Sequence, residues 1–553
     1  MRPFAVTKRW LLIAAYSLAV VGMVFGTSAC GKLDTSEMVR EIELYVTTAD
    51  YDPIRYEFGN MAAENWRKLG FRVKVTPLAW PRLSQQGIQE HDFDAFTLNW
   101  AGLSSRIDPD HFVYLTLHSS QEAKGRYNIV GYKNPDYDKV AEASRASMDP
   151  EKRKEYVWEA QRIAAEDQPY IPIAHRNTLT AYNSRDFTNA KPMMGEGLNT
   201  FWNWINITPK TDRKTVVWGY PSDVTSLNPL VTVNAHDHQT LRLFYDRLVR
   251  VNPEGKPELW AAQSMKQIDP LTVDFTLRDG MTFHDGQPVT AEDVAYTFQL
   301  INDVKSPYFL GLVSFIESVT AKDKLTVEFK LKAPTASFVA NTLGQVYILP
   351  KHVWSSIYAQ GAQAVLNYKN EKPVGSGPFK MEYWRRDEEM KLAANKSHWV
   401  APKVDGILKL PYANTLGMVA GLEAGECDVA GWDLEPAQAD KLKSKSHLTI
   451  IEVPNHGFYH INLNMRRPPF DDKAVRLAMA YAVPKQQIVD QLLEGHGQVA
   501  DSIIGPANAF WHNPNIKKIS FSMDQARKIL KDAGYRWDKQ GYIYYPKGKV
   551  PKP

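Results

Sequence analysis

Cysteine is nearly absent from this chain: 553 residues carry only Cys30 and Cys427. Cys30 closes an N-terminal leader, so the folded part has no partner for an intramolecular disulfide and must rely on packed cores. Cys427, in Gly425-Glu426-Cys427-Asp428-Val429 between a helical and a strand-like stretch, reads as a buried, inert thiol. No Cys/His cluster has zinc spacing, so neither a metal nor another cofactor is expected. Net charge is also almost absent. The 66 basic and 62 acidic residues leave +4 with no basic stripe, which argues against a nucleic-acid partner. Internal repeats, low-complexity tracts and coiled-coil heptads are missing. So are a nucleophile elbow, a His-Glu-x-x-His motif and paired carboxylates in a catalytic context, and the chain is expected not to be an enzyme.

Long apolar runs are confined to the N-terminus. Arg2, Lys8 and Arg9 precede an apolar stretch over 10–25, followed by Thr27-Ser28-Ala29 and Cys30, the pattern of an export signal. The stretch is short for a spanning helix, which needs about 20 residues. Cys30 after small residues resembles a bacterial lipobox, in which the cysteine is lipidated and becomes the mature N-terminus. Thr27 departs from the aliphatic residue usual there. A lipid anchor at Cys30 is the expectation, with cleavage to a free protein or an uncleaved anchor as alternatives.

What the chain has in quantity is aromatic side chains, 15 Trp and 26 Tyr, which fill large cores or offer a ligand area with one polar handle. Its length implies two or three domains. Residues 42–46 read as a strand. A helix follows with Phe58, Met61, Ala62, Trp66 and Leu69 on one face, stopped by Gly70, and Phe71, Val73 and Val75 alternate as the next strand. Strand, helix, strand at this spacing predicts a largely parallel sheet. Further on, 151–165 reads as a surface helix and 170–173 as a buried strand, before a polar connector at 208–214. Strands at 215–219, 272–277 and 325–331 then alternate with helices, among them 240–249 and 523–533, the last with Ser522 as N-cap and Gly534 as stop. The fold class is mixed α/β with two lobes.

From Thr215 onward a series of blocks stands out. They are Ser226-Leu227-Asn228-Pro229, Phe244-Tyr245-Asp246-Arg247-Leu248-Val249, and Phe283-His284-Asp285-Gly286 running on to Val294. Val374-Gly375-Ser376-Gly377-Pro378-Phe379 follows, then Asn464 with Pro468-Pro469-Phe470-Asp471-Asp472. In this order and spacing the chain resembles the family 5 extracellular solute-binding proteins, which include dipeptide, oligopeptide and nickel binders that feed ABC importers. The N-terminal part resembles the same family's other end. There Phe93-Asp94-Ala95, Trp100, Asp108-Pro109-Asp110 and Asp167-Gln168-Pro169-Tyr170-Ile171-Pro172 match its late region. The resemblance implies a two-lobed periplasmic-binding-protein fold of the large peptide-binding type, mixed sheets flanked by helices, written in circularly permuted order. Residues 1–30 are then the signal, 36–189 the first part of lobe II, 190–453 lobe I and 454–553 the second part of lobe II. The connector 208–214 joins the family's old ends, as domain termini that lie close together allow.

In such a fold the ligand lies between the lobes and hinge closure buries it. Dipeptide binders of the family hold the ligand's amino group with an Asp three residues after the Trp of the late motif, and its carboxylate with an Arg after the first strand of that segment. Here the first position is Leu103, and the loop Thr47-Thr48-Ala49-Asp50-Tyr51 has no Arg before Arg55. Free dipeptides are therefore disfavoured, because a buried ligand charge needs a partner. Arg106 or Asp50 can supply other complementarity, or each is a solvated loop charge. The candidate ligand residues are Trp80 and Trp100 as aromatic walls, Leu103, Arg106, Tyr459 and Asn464 at the crossover into lobe II, and His236 and His238 in His236-Asp237-His238. That His-x-His pair is either solvated or suited to a metal chelate. Asn464 equally suits a backbone role, and Trp432 reads as core.

The expected function is capture of a peptide-like solute, sugar or chelate outside the inner membrane and delivery to a permease. A sensory lipoprotein that docks a receptor on the same fold is the competing reading. The expected setting is the periplasm or cell envelope, with the protein a monomer held to a membrane by its lipid.

Overall fold

The computed structural model describes residues 33–103 and 106–551. The export signal at 1–30 and its Cys30 lie outside the described residues. In strand Ile42–Thr47 the alternating Ile42, Leu44 and Val46 are fully buried, and the strand pairs in parallel with Val73–Leu78 and with Ala95–Trp100. Between them runs helix Pro53–Lys68. Its first turn is capped by the Asp52 carboxylate on the Arg55 N–H, and it buries Phe58, Ala62 and Trp66. Gly70, at φ +104°, ends it where a side chain would strike the Gly541 carbonyl.

This sheet is completed from the far end of the chain. Its order is Val73–Leu78, Ile42–Thr47, Ala95–Trp100, Phe458–Leu463, Tyr170–Arg176, Gly497–Val499, with Phe458–Leu463 antiparallel to both neighbours. The Trp66 indole donates to the Met479 carbonyl at 3.1 Å, and Trp537 donates to that of Leu69 at 2.6 Å. Helix Met523–Asp532, capped by Ser522 on Gln525, packs its Ala526 and Leu530 into the same core.

Lobe I is built on a seven-stranded sheet with Gly406–Pro411, Thr215–Tyr220 and Val429–Ala430 running parallel at its centre. A four-stranded antiparallel sheet containing Thr272–Leu277 and Thr326–Leu331 packs beside it. Much of the aromatic content is core: Trp204, Trp218 and Trp354 are fully buried, the first two with rings 4.6 Å apart.

Two expectations are corrected. Lobe II was expected to run to 189, but Thr178–Asn183 pairs with Leu448–Val453 inside the lobe I sheet, so the chain crosses at Asn177. The two strands meet with only Asn177 between them, so no loop or change of pattern marks the boundary in the sequence. The helix expected at 240–249 spans Ala235–Phe244 instead. Asp246 is fully buried and accepts from the Trp260 indole (2.8 Å) and the Ser376 hydroxyl (2.9 Å), which holds the chain in a turn before strand Val249–Val251. The return from lobe I occupies 454–457, between Val453 and Phe458.

Candidate functional site

Loops after the parallel strands of both lobes come together at the junction, the end of an α/β sheet where ligands are held. On the lobe II side, Trp80 follows Val73–Leu78 and lies flat against Tyr51, with ring centres 5.8 Å apart and planes within 6°. The Arg55 guanidinium sits 5.0 Å from the Trp80 ring and 5.3 Å from that of Tyr51, fixed from behind by Asp52 at 2.7 Å. Trp100 ends its strand almost buried, stacked on His460 at 6.0 Å and edge-on to Tyr127 and His111, and its indole N–H has no acceptor among the described residues.

The loop after Trp100 is pinned by backbone contacts. The Leu103 carbonyl accepts from Nε2 of His456 at 2.8 Å, and a Cβ on Gly457 would stand 1.9 Å from the Trp100 carbonyl oxygen. Arg106 donates to the Ala101 carbonyl at 2.8 Å and lies 5.1 Å from the Trp100 ring. No carboxylate lies within 4 Å of it among the described residues. Burial draws its pKa below the usual arginine value, with Tyr127 and Tyr308 of lobe I opposing.

Tyr459 is buried, and its hydroxyl accepts from Arg176 at 3.2 Å. Arg176 also reaches across to lobe I, to the Leu434 carbonyl at 3.4 Å and the Glu435 carboxylate at 3.6 Å.

The lobe I wall is aromatic: the His236 ring packs edge-on against Tyr220 (4.4 Å) and Trp432 (4.6 Å). Trp432, expected in the core, is 38% exposed. It follows a strand of only two residues, Val429–Ala430, too short to carry it inside. Beside it stands Asp433, a carboxylate with no hydrogen bond and no ion pair within 4 Å among the described residues. Burial pushes its pKa up to about 6, Arg176 opposing. Behind the wall, Lys409 is buried between the Trp218 and Tyr220 rings (4.8 and 4.4 Å) and donates to the Thr240 hydroxyl at 2.9 Å. Burial lowers its pKa to about 8.

Lobe II thus carries Trp80, Trp100, Leu103 and Arg106 on its strand-end loops, Tyr459 reaches lobe I through Arg176, and His236 stands on the lobe I wall. The junction does not gather His238 or Asn464. His238 is packed inside lobe I, its two ring nitrogens 3.1 Å from the Tyr347 hydroxyl and the Thr232 carbonyl. Positions 236 and 238 fall in the first turn of a helix, where residues two apart point in different directions, so the pair does not converge on a metal. Asn464 sits at the opposite end of its strand from Tyr459, and its amide donates to the His91 and Phe93 carbonyls. Asp433, Tyr51, Tyr127 and Tyr308 were not singled out from the sequence. Asp433 had one signal there, a charge next to an aromatic at the end of a strand.

Residues 256–552, just over half of the chain, match the model of the bacterial extracellular solute-binding proteins, family 5 Middle. The chain belongs to this family. The oligopeptide-binding protein AppA of Bacillus subtilis is 28% identical, over 58% of this chain and 59% of its own length. The dipeptide-binding protein of Escherichia coli is 25% identical, over 60% of this chain and 65% of its own. The chain therefore spans about three-fifths of the length of these curated relatives. The solved structure of HbpA2 from Haemophilus parasuis matches with a TM-score of 0.50 at 25% identity, covering 58% of this chain and 67% of that one. The fold is the two-lobed α/β fold of the periplasmic binding proteins.

Proposed function

We propose that the protein is the extracytoplasmic solute-binding component of an ABC importer, not an enzyme. It captures a small, peptide-like organic solute between its lobes and delivers it to a membrane permease. The observation that carries this reading is a pair of opposite charges at one junction: Arg106 on lobe II, with no carboxylate within 4 Å among the described residues, and Asp433 on lobe I, whose charge Arg176 offsets only in part. An uncompensated charge at a closing interface is costly, so each favours a ligand group of opposite sign. The aromatic walls Tyr51–Trp80, Trp100 and His236–Trp432 supply apolar area between them. Leu103 leaves its loop without the acid that would hold an amino group there, and Asp433 takes that role from the facing lobe.

Permuted order belongs to the same proposal. The family's middle falls at 256–552, while 42–176 complete the sheet to which 458–463 and 497–499 belong. A lipid at Cys30 would hold a monomer at the cell envelope. Among the described residues no helix is long and apolar enough to cross a membrane.

The test is native purification with mass spectrometry of the co-purified solute, then thermal shift with peptides of two to nine residues in free, N-acetylated and C-amidated forms. Free peptides are expected to raise the melting temperature and either cap to weaken the shift. A preparation that carries no solute and responds to no free or capped peptide would sink the proposal.

A further inference from the structure

We propose that lobe I contains a second binding site, for a single halide-sized anion, in the small cavity between Arg242, Arg247 and Arg250. The cavity measures about 20 Å³ and is closed by Thr200, Phe201 and Gln345 among others. That is room for a small particle such as a monatomic ion.

Three guanidinium groups face it with two carboxylates in support. Arg242 binds Glu196 at 2.5 Å. Arg250 has Asp246 at 3.7 Å, but that carboxylate also accepts from Trp260 and Ser376 and lies 3.4 Å from His398. Arg247 has no carboxylate within 4 Å among the described residues and donates to the Gly344 carbonyl (2.7 Å) and the Tyr347 hydroxyl (3.1 Å).

The donors are in larger surplus than the charges. The Nε atoms of all three arginines are buried without an acceptor. Nη2 of Arg242 and Nη1 of Arg250 make no hydrogen bond among the described residues either, since the bonds of these two side chains run through the other Nη atom. Arg250 lies flat on Phe201, 3.4 Å from the ring centre, and is 3% exposed, so solvent cannot screen it. Burial, and then repulsion from Arg247, draws its pKa well below the usual value. Arginine does not lose its proton in proteins, so the strain calls for a counter-ion. A neutral water would satisfy two donors and none of the charge; an anion answers both.

The site is separate from the solute junction but mechanically linked to it. Arg242 grips Glu196, and the adjoining Gly195 abuts the Gly102 carbonyl of the loop that carries Arg106 and His456 of the return crossing. An anion that fixes Arg242 therefore steadies one edge of the junction.

The experiment is thermal unfolding of the full-length protein at equal ionic strength in sodium chloride, bromide, formate and gluconate, with chlorine-35 NMR line widths on the same samples. Chloride and bromide are expected to raise the melting temperature over gluconate by about 2–5 °C, saturably. They should also compete for the broadened chlorine signal. Arg247→Gln should abolish both effects, while the exposed control Arg385→Gln keeps them. Equal melting temperatures and unbroadened chlorine lines in the unmodified protein overturn the proposal whether or not the variant folds. A response to formate without one to bromide overturns the halide assignment, and an undiminished chloride response in Arg247→Gln overturns the location.

Discussion

Arg153 donates to both oxygens of the Asp108 carboxylate, at 2.9 and 2.6 Å, with both side chains buried. Arg145 clamps Asp110 in the same way, at 2.9 and 2.7 Å. The Asp108-Pro109-Asp110 motif is thus a bracket that ties the Arg106 loop to helices Pro135–Ala146 and Pro150–Asp167, and neither carboxylate is free for a ligand.

Arg153→Met should leave Asp108 buried without its partner, a loss of about 3–5 kcal/mol. Urea unfolding should show the midpoint fall at unchanged slope, with the double variant Asp108→Asn/Arg153→Met recovering part of the loss. A wild-type midpoint in the single variant would contradict the bracket.

Asp433 should make stability depend on pH. Its folded pKa of about 6 lies above the ordinary 3.8, so between these values the folded state keeps a proton that the unfolded chain releases. Stability from this group therefore falls as pH rises through that window, and the penalty is complete above it. Asp433→Asn should match the parent below pH 4 and be more stable above pH 6.5, by about 1–3 kcal/mol. Parallel stability curves across this range would refute the assignment.

Lys409 has the opposite sign. Its folded pKa of about 8 lies below the ordinary 10.5, so between these values the unfolded chain binds the extra proton and stability rises with pH. Below pH 8 the full penalty is present. Lys409→Met should stabilise the ligand-free protein at pH 7 by about 1–2 kcal/mol, after loss of the aromatic and Thr240 contacts. The gain should shrink towards pH 10.5, and denaturant titrations at the two pH values would show it.

Gly457→Ala should push the Trp100–Gly102 backbone aside, because its Cβ would stand 1.9 Å from one carbonyl oxygen and 2.6 Å from the Gly102 nitrogen. A cost of about 1–3 kcal/mol is expected, with a weakened response to solute. Gly311→Ala, where nothing lies within 4 Å, serves as the neutral control. Identical melting curves for the two variants would rule out the close approach.

The periodic elements were legible because burial on one face leaves a period in the sequence. Residues 272–277 form the expected strand, and helix Met523–Asp532 has the Ser522 cap read for it. Trp80 and Trp100 stand out as parts of motifs; Trp80 opens the short helix Trp80–Leu83 and Trp100 ends its strand. What escaped depends on partners distant in the chain. Asn464 was misplaced because the direction of Phe458–Leu463 is set by its antiparallel neighbours. His238 falls in a helix that begins at Ala235, earlier than the sequence suggested, because no side chain caps its start and Asp237 instead ties it to Thr225 and Thr232. Asp433 became visible only in the structure, where burial raises its pKa and Arg176 offsets that only in part.

The chain leaves lobe II at Asn177 and returns at 454–457, so lobe I is one uninterrupted stretch set inside the other lobe. During synthesis lobe I can be completed while lobe II cannot: strand Ala95–Trp100 must wait for Phe458–Leu463, hundreds of residues later. At ordinary elongation rates that delay is on the order of tens of seconds. Throughout it the edge of the waiting strand stays unpaired and open to any other strand or chaperone that reaches it.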